Sequence, residues 1–154
     1  MVKNKLFLFF FIVYTLFLLK LVVFKGPFSA IKDHLKNFDL TIIKMGYGAA
    51  NFIPFHTLYY YLSLQENAET GFENIGGNIL LFIPYGFLLA LAFPAGRKIK
   101  KLLLLVLLTS FIFELIQLVT ATGNFDVDDL LLNLFGGAIG VWLYGLLLRG
   151  GMNR

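Results

Sequence analysis

Glu114, Gln117, Asp126, Asp129 and Asn133 are carboxylates and amides set within or between two apolar runs, in the stretch Phe111–Gly140, FIFELIQLVTATGNFDVDDLLLNLFGGAIG. Such groups are costly in lipid, so they face protein or a wet cavity and often mark function. Glu114 and Gln117 are three apart and share one helical face. Asp126, Asp129 and Asn133 fall at i, i+3 and i+7, again one stripe. Two carboxylates so placed, Glu114 and Asp129, could divide acid and base work. The same groups could bond the polar head of an amphiphile. Helix-to-helix hydrogen bonding is the structural alternative for Gln117 and Asn133. Asp126, Asp128 and Asp129 also suit a helix N-cap and first turn. No serine, cysteine or histidine accompanies the acids, so a nucleophilic triad is not expected. Neither is a bound metal, because D-V-D-D lacks the glycine and distal glutamate of a calcium loop. No haem, P-loop or dinucleotide motif calls for a cofactor.

The elements that carry these residues follow from composition. Of 154 residues, 58% are hydrophobic and 14% charged, where a soluble domain has about 45–50% and about 25%. A globule of this length cannot bury that excess, so a membrane protein is expected, with residues 1–154 forming a single domain. The fold class is all-α: an integral membrane bundle of four transmembrane helices, over about 6–24, 75–93, 102–120 and 127–148. The first run reads as an uncleaved anchor, with no clear cleavage site after it. Between the first and second spans, Ile31, Leu35, Phe38 and Ile42 recur at helical spacing and predict a short amphipathic helix on the surface. Asn51–Phe55 with Tyr59, Tyr60 and Tyr61 should dip into the interface or pack over the bundle. His56 reads as a polar surface residue. Pro84 should kink the second span, and Gly136-x-x-x-Gly140 is a signal for close helix packing.

Charge predicts orientation. The net charge is +4, but the cations lie between apolar runs and read as topology signals rather than as a nucleic-acid patch. The dense basic turn Arg97–Lys101 should be cytoplasmic, which puts both termini inside and the turn Asp126–Asp129 outside. On that topology Glu114 lies roughly 9 Å below the outer end of its span, Asn133 at a similar depth, and Asn78 roughly 5 Å below. Asn78 therefore joins the predicted cluster. Lys20, roughly 6 Å below the end of the first span, either snorkels to the headgroups or is an ion-pair partner for Glu114 or an aspartate.

At these residues the chain resembles the VanZ-like family of small bacterial membrane proteins. The matching pieces are NFIPF (Asn51–Phe55), NIGGNILLFIPYG (Asn74–Gly86), ELIQ (Glu114–Gln117) and FDVDDLLLNLFGG (Phe125–Gly137), in family order. Residues 1–50 match in general character only. The resemblance implies a cell-membrane protein; the family's namesake is associated with low-level resistance to teicoplanin and related lipoglycopeptides. Family members often carry an arginine before the Phe-Asp pair, where this chain has Gly123 and Asn124. An anion clamp is therefore not expected there, unless Lys20 substitutes. Taken together, the expected function is binding or shielding of an envelope lipid, a lipid-linked cell-wall precursor or a lipoglycopeptide. The alternative is an intramembrane enzyme on a lipid-linked substrate, with Glu114 and Asp129 as acid and base. A third class is a structural partner of another membrane protein.

Overall fold

The structure, a computed structural model, describes residues 2–23, 40–63, 68–93, 98–120 and 122–151. Six helices run in order: α1 (Val2–Val23), α2 (Leu40–Gly48), α3 (His56–Ser63), α4 (Ala68–Ala92), α5 (Ile99–Thr120) and α6 (Val127–Gly151). Four are long and apolar enough to cross a membrane, over Lys5–Val22, Gly71–Ala92, Ile99–Thr120 and Val127–Leu148. The chain is a multi-pass membrane protein. Helix α4 begins at Ala68, ahead of the expected start near residue 75. Polarity around Glu73 and Asn74 limits what lies in lipid, not where the helix starts. Gly71 lets this extension pass close to Tyr61: a Cβ there would stand 2.7 Å from the Tyr61 Cβ. Of the expected amphipathic helix, Ile31, Leu35 and Phe38 lie outside the described residues, and Ile42 falls within α2.

The tightest pairing is α4 on α6, and glycine makes it. A Cβ on Gly86, Gly136 or Gly140 would fall on the carbonyls of Gly137, Ile79 and Ile83 respectively. Backbones approach closely only where side chains are absent, which is how small residues join membrane helices. The two helices run parallel: Asn78 of α4 meets Asp129 near the start of α6, and Gly86 meets Gly137 two turns on. Helix α5 runs antiparallel beside them. It is tied by Tyr85 Oη to Thr109 Oγ1 at 2.7 Å and by Val106 packing over Gly137.

Helix α1 leans on α4 through Phe11 and Tyr85, whose ring centroids are 5.3 Å apart. Pro84 lies inside α4 and lacks the amide that would bond the Leu80 carbonyl. One residue on, the Tyr14 hydroxyl donates to the Leu81 carbonyl at 2.8 Å, so α1 is bonded to α4 beside the proline. Leu18, Phe82, Tyr85, Leu89, Val106, Phe113 and Val141 form the core. Phe9, Leu16, Leu80, Ile112, Trp142 and Leu147 point outward, as lipid-facing residues do.

Candidate functional site

The site lies at the end of the bundle where α1 and α5 finish and α4 and α6 begin. Helix α6 starts at Val127, and Asp126 is its N-cap. The Asp126 Oδ1 accepts the Asp128 amide at 2.8 Å, satisfying one of the donors that a helix start leaves open. The Asp126 amide itself donates to Glu114 Oε2 at 3.1 Å. Glu114 is 1% exposed, so the turn between α5 and α6 is closed over a buried carboxylate of α5.

The segment before α3 packs on this turn. Asn51 and Asp126 form an isolated parallel bridge: the Asn51 amide donates to the Phe125 carbonyl at 2.8 Å, and the Val127 amide to the Asn51 carbonyl at 3.0 Å. Side chains repeat the link, with Asn51 Nδ2 donating to Asp126 Oδ1 at 2.9 Å and Thr57 Oγ1 to Asp126 Oδ2 at 2.6 Å. Asp128, also 1% exposed, reaches across to the start of α3. Its carboxylate accepts the amides of Phe55, Thr57 and Leu58. An acid from one helix thus caps another that lies far away in sequence. Phe55 turns the chain into α3 with φ of 67°, a left-handed conformation that costs a non-glycine residue about 1–2 kcal/mol. Of the two placements that the sequence left open for Asn51–Phe55, this is packing over the bundle.

Three more polar pairs join the spans. Asn78 Nδ2 donates to Asp129 Oδ1 at 2.6 Å, linking α4 to α6. Asn133 Nδ2 donates to Ser110 Oγ at 2.8 Å, linking α6 to α5. Gln117 Nε2 donates to the Val22 carbonyl at 2.8 Å, capping the end of α1. Two oxygens at these places are buried without a hydrogen-bond partner, Gln117 Oε1 and Asn133 Oδ1.

Between these links is space. A cavity of about 200 Å³ is lined by Thr57, Tyr61, Asn74, Gln117, Gly123, Asn124, Asp126 and Asp129. A second of about 500 Å³ adjoins it, lined by Gly48–Ile53, His56, Thr57, Tyr61 and Asn124–Asp126. Thr57, Tyr61, Asn124 and Asp126 border both.

Of the residues expected at a site, Gln117, Asp126 and Asp129 line the smaller cavity. Asn78 and Glu114 stand behind two of them as hydrogen-bond partners, and Asn133 sits deeper, on Ser110. Lys20 is exposed on α1 and makes no ion pair with a described residue, a placement that suits snorkelling to the headgroups. His56 is exposed at the start of α3. Ser110 corrects the expectation that no serine accompanies the acids: it is fully buried, four residues before Glu114 on the same face of α5. That spacing was its signal. Thr57 carries none, because its role depends on α3 folding back over the turn; Tyr61 is marked only as one of three interfacial or packing tyrosines, and Asn74 only as the first residue of a family motif. Among the described residues no group of three His, Asp or Glu is placed to hold a metal ion.

The profile of the VanZ/LLP1 family matches residues 11–148. The match therefore takes in most of α1, where the motifs alone had shown only general likeness. Protein VanZ of Enterococcus faecium is 34% identical over 108 residues, which cover 70% of this chain and 65% of that protein. The matched region spans just under two thirds of the relative's length. No solved structure matches the chain.

Proposed function

The chain belongs to the VanZ/LLP1 family, and on that premise we propose that it binds the polar head of a bacterial envelope amphiphile in the cavity between α3 and the α5–α6 turn. The amphiphile is a membrane lipid, a lipid-linked cell-wall precursor or a lipoglycopeptide such as teicoplanin. The observation that carries this reading is a polar-lined cavity at one end of spans whose outer faces are apolar. A head seated there leaves its acyl tail beside the helices. Lys98, Lys100 and Lys101 lie exposed at the opposite end. With that end cytoplasmic, the cavity opens toward the outer leaflet of the cell membrane, where such amphiphiles meet the cell wall. Withholding the amphiphile from its usual partner is the proposed route to glycopeptide resistance.

Acid–base catalysis by Glu114 and Asp129 is the competing reading. What weighs against it is placement. Asp129 lines the smaller cavity, whereas Glu114 lines neither and is bonded to the Asp126 amide behind the wall. Glu114→Gln separates the two. It keeps the shape and an acceptor oxygen while removing acid–base capacity. For a binder, resistance and the set of copurifying lipids seen by mass spectrometry stay largely intact. An enzyme using Glu114 loses about 10²-fold or more in activity. Near-complete loss of the phenotype at normal expression, with lipid binding unchanged, would overturn binding.

A further inference from the structure

We propose that the Asn51–Ser63 segment is a membrane-surface anchor, its outward side lying in the headgroup layer of the bilayer that the four spans cross. This goes beyond the amphiphile reading and stands without it. Packing over the bundle uses one side of the segment, and that side carries its polar links. Asn51 Nδ2 and Thr57 Oγ1 bond Asp126, and the Tyr61 hydroxyl accepts from Asn74 Nδ2 at 2.8 Å. The outward side is apolar: Phe52, Ile53, Tyr59 and Leu62 are exposed, Tyr59 by 74% and Leu62 by 68%. On α3, Thr57 and Tyr61 share one face at i, i+4, and Tyr59 and Leu62 share another at i, i+3. A helix on a water-facing surface has the reverse arrangement, with its apolar stripe inward and its polar face out. Residues 51–63 also hold no aspartate, glutamate, lysine or arginine. The medium that meets this side is therefore apolar or interfacial. The level of the segment identifies it as lipid. Tyr61 lies against Gly71, where the α4 span begins, and Asp128, in the first turn of the α6 span, holds the start of α3. The segment thus sits at the ends of two spans, the depth at which tyrosines gather in membranes. Phe72, exposed beside Gly71, extends the apolar surface onto α4, which is lipid-facing at Leu80. Phe52 and Ile53 also line the larger cavity, so its rim stands in the same layer.

The test is spin labelling of the full chain in vesicles of phosphatidylethanolamine and phosphatidylglycerol. With no native cysteine, Tyr59→Cys, Leu62→Cys, Leu80→Cys and Lys98→Cys each place one nitroxide. All four native side chains are exposed, so the substitutions leave the packed side intact. Electron paramagnetic resonance gives collision rates with oxygen, which concentrates in lipid, and with a water-soluble nickel chelate. Position 80 is the lipid-facing reference and position 98 the aqueous one. The oxygen-to-nickel ratio at positions 59 and 62 should exceed that at position 98 at least threefold. A smaller difference puts the outward side in water and overturns the anchor. Slow collision with both reagents at positions 59 and 62 shows a protein cover, a second copy or another partner, and overturns it equally. Amphiphile binding in the cavities stands or falls separately, since none of these outcomes bears on it.

Discussion

Asp128 accepts the backbone amide of Thr57 at 2.8 Å, although the two residues lie on different helices and far apart in sequence. With the Phe55 and Leu58 amides on the same carboxylate, this one side chain fixes where α3 starts. Together with the Asn51 bridge and the Asp126 bonds it holds the Asn51–Ser63 segment over the cavities. Bonds to a charged acceptor contribute about 1.5–3 kcal/mol each. Asp128→Ala should therefore loosen the start of α3 while the four spans persist. Amide exchange at Thr57 and Leu58 should rise at least tenfold, with exchange at the core positions Val106 and Leu89 unchanged. Unaltered protection at Thr57 would show that packing alone holds α3.

Phe55 gives a second handle on the same turn. Its φ of 67° favours glycine, and its side chain is 65% exposed. Phe55→Gly should keep the turn and stabilise it by about 1 kcal/mol in thermal melts in detergent. Phe55→Val, β-branched in a left-handed conformation, should destabilise it. Equal melting of the two variants would contradict the strain.

The parallel seam of α4 and α6 depends on absent side chains. Gly140→Ala places a methyl group on the Ile83 carbonyl and should lower stability by about 1–3 kcal/mol, the usual effect of overpacking. Gly145→Ala, with nothing within 4 Å, is the control and should be neutral or slightly stabilising. Equal melting of the two would refute the seam.

This seam and the four spans were legible in the sequence, because apolar length and a Gly-x-x-x-Gly pattern are local properties. Part of the site was legible for the same reason. Glu114, Gln117 and Asn133 are polar groups in apolar helices, and helical spacing put each on a face. The placement of Lys20 was not legible, since depth along α1 says nothing about which side of the helix it occupies. Asp128 was seen as a first-turn acid of its own helix. Its larger role, capping α3, requires knowing that Asn51 pairs with Asp126, a contact that no local pattern encodes. Thr57 was hidden by the same fold-back.

Asn133 tests the buried links. Asn133→Leu removes the partner of Ser110 and strands its hydroxyl. Membrane hydrogen bonds average about 0.6 kcal/mol, with about 2 as the upper range. The bundle should survive with a small drop in melting temperature, and any resistance phenotype should fall more than stability does. Phe135→Leu, at a 58% exposed position, should change neither. A phenotype lost equally in both would deny Asn133 a special place.

Orientation can be read directly, because the chain has no cysteine of its own. A cysteine replacing Asn124 should react with a membrane-impermeant thiol reagent in intact cells, and one replacing Lys98 should not. The reverse pattern would move the cavity to the cytoplasmic side.

The same two cysteines give the most direct measure of amphiphile binding. Asn124 is exposed and borders both cavities, whereas Lys98 lies at the other end of the bundle. The purified protein is stripped of lipid in detergent, and thiol labelling rates are taken before and after adding an envelope lipid extract. A bound head group should slow labelling at position 124 at least tenfold and leave position 98 unchanged. Equal rates at position 124 with and without the extract would contradict binding at this site.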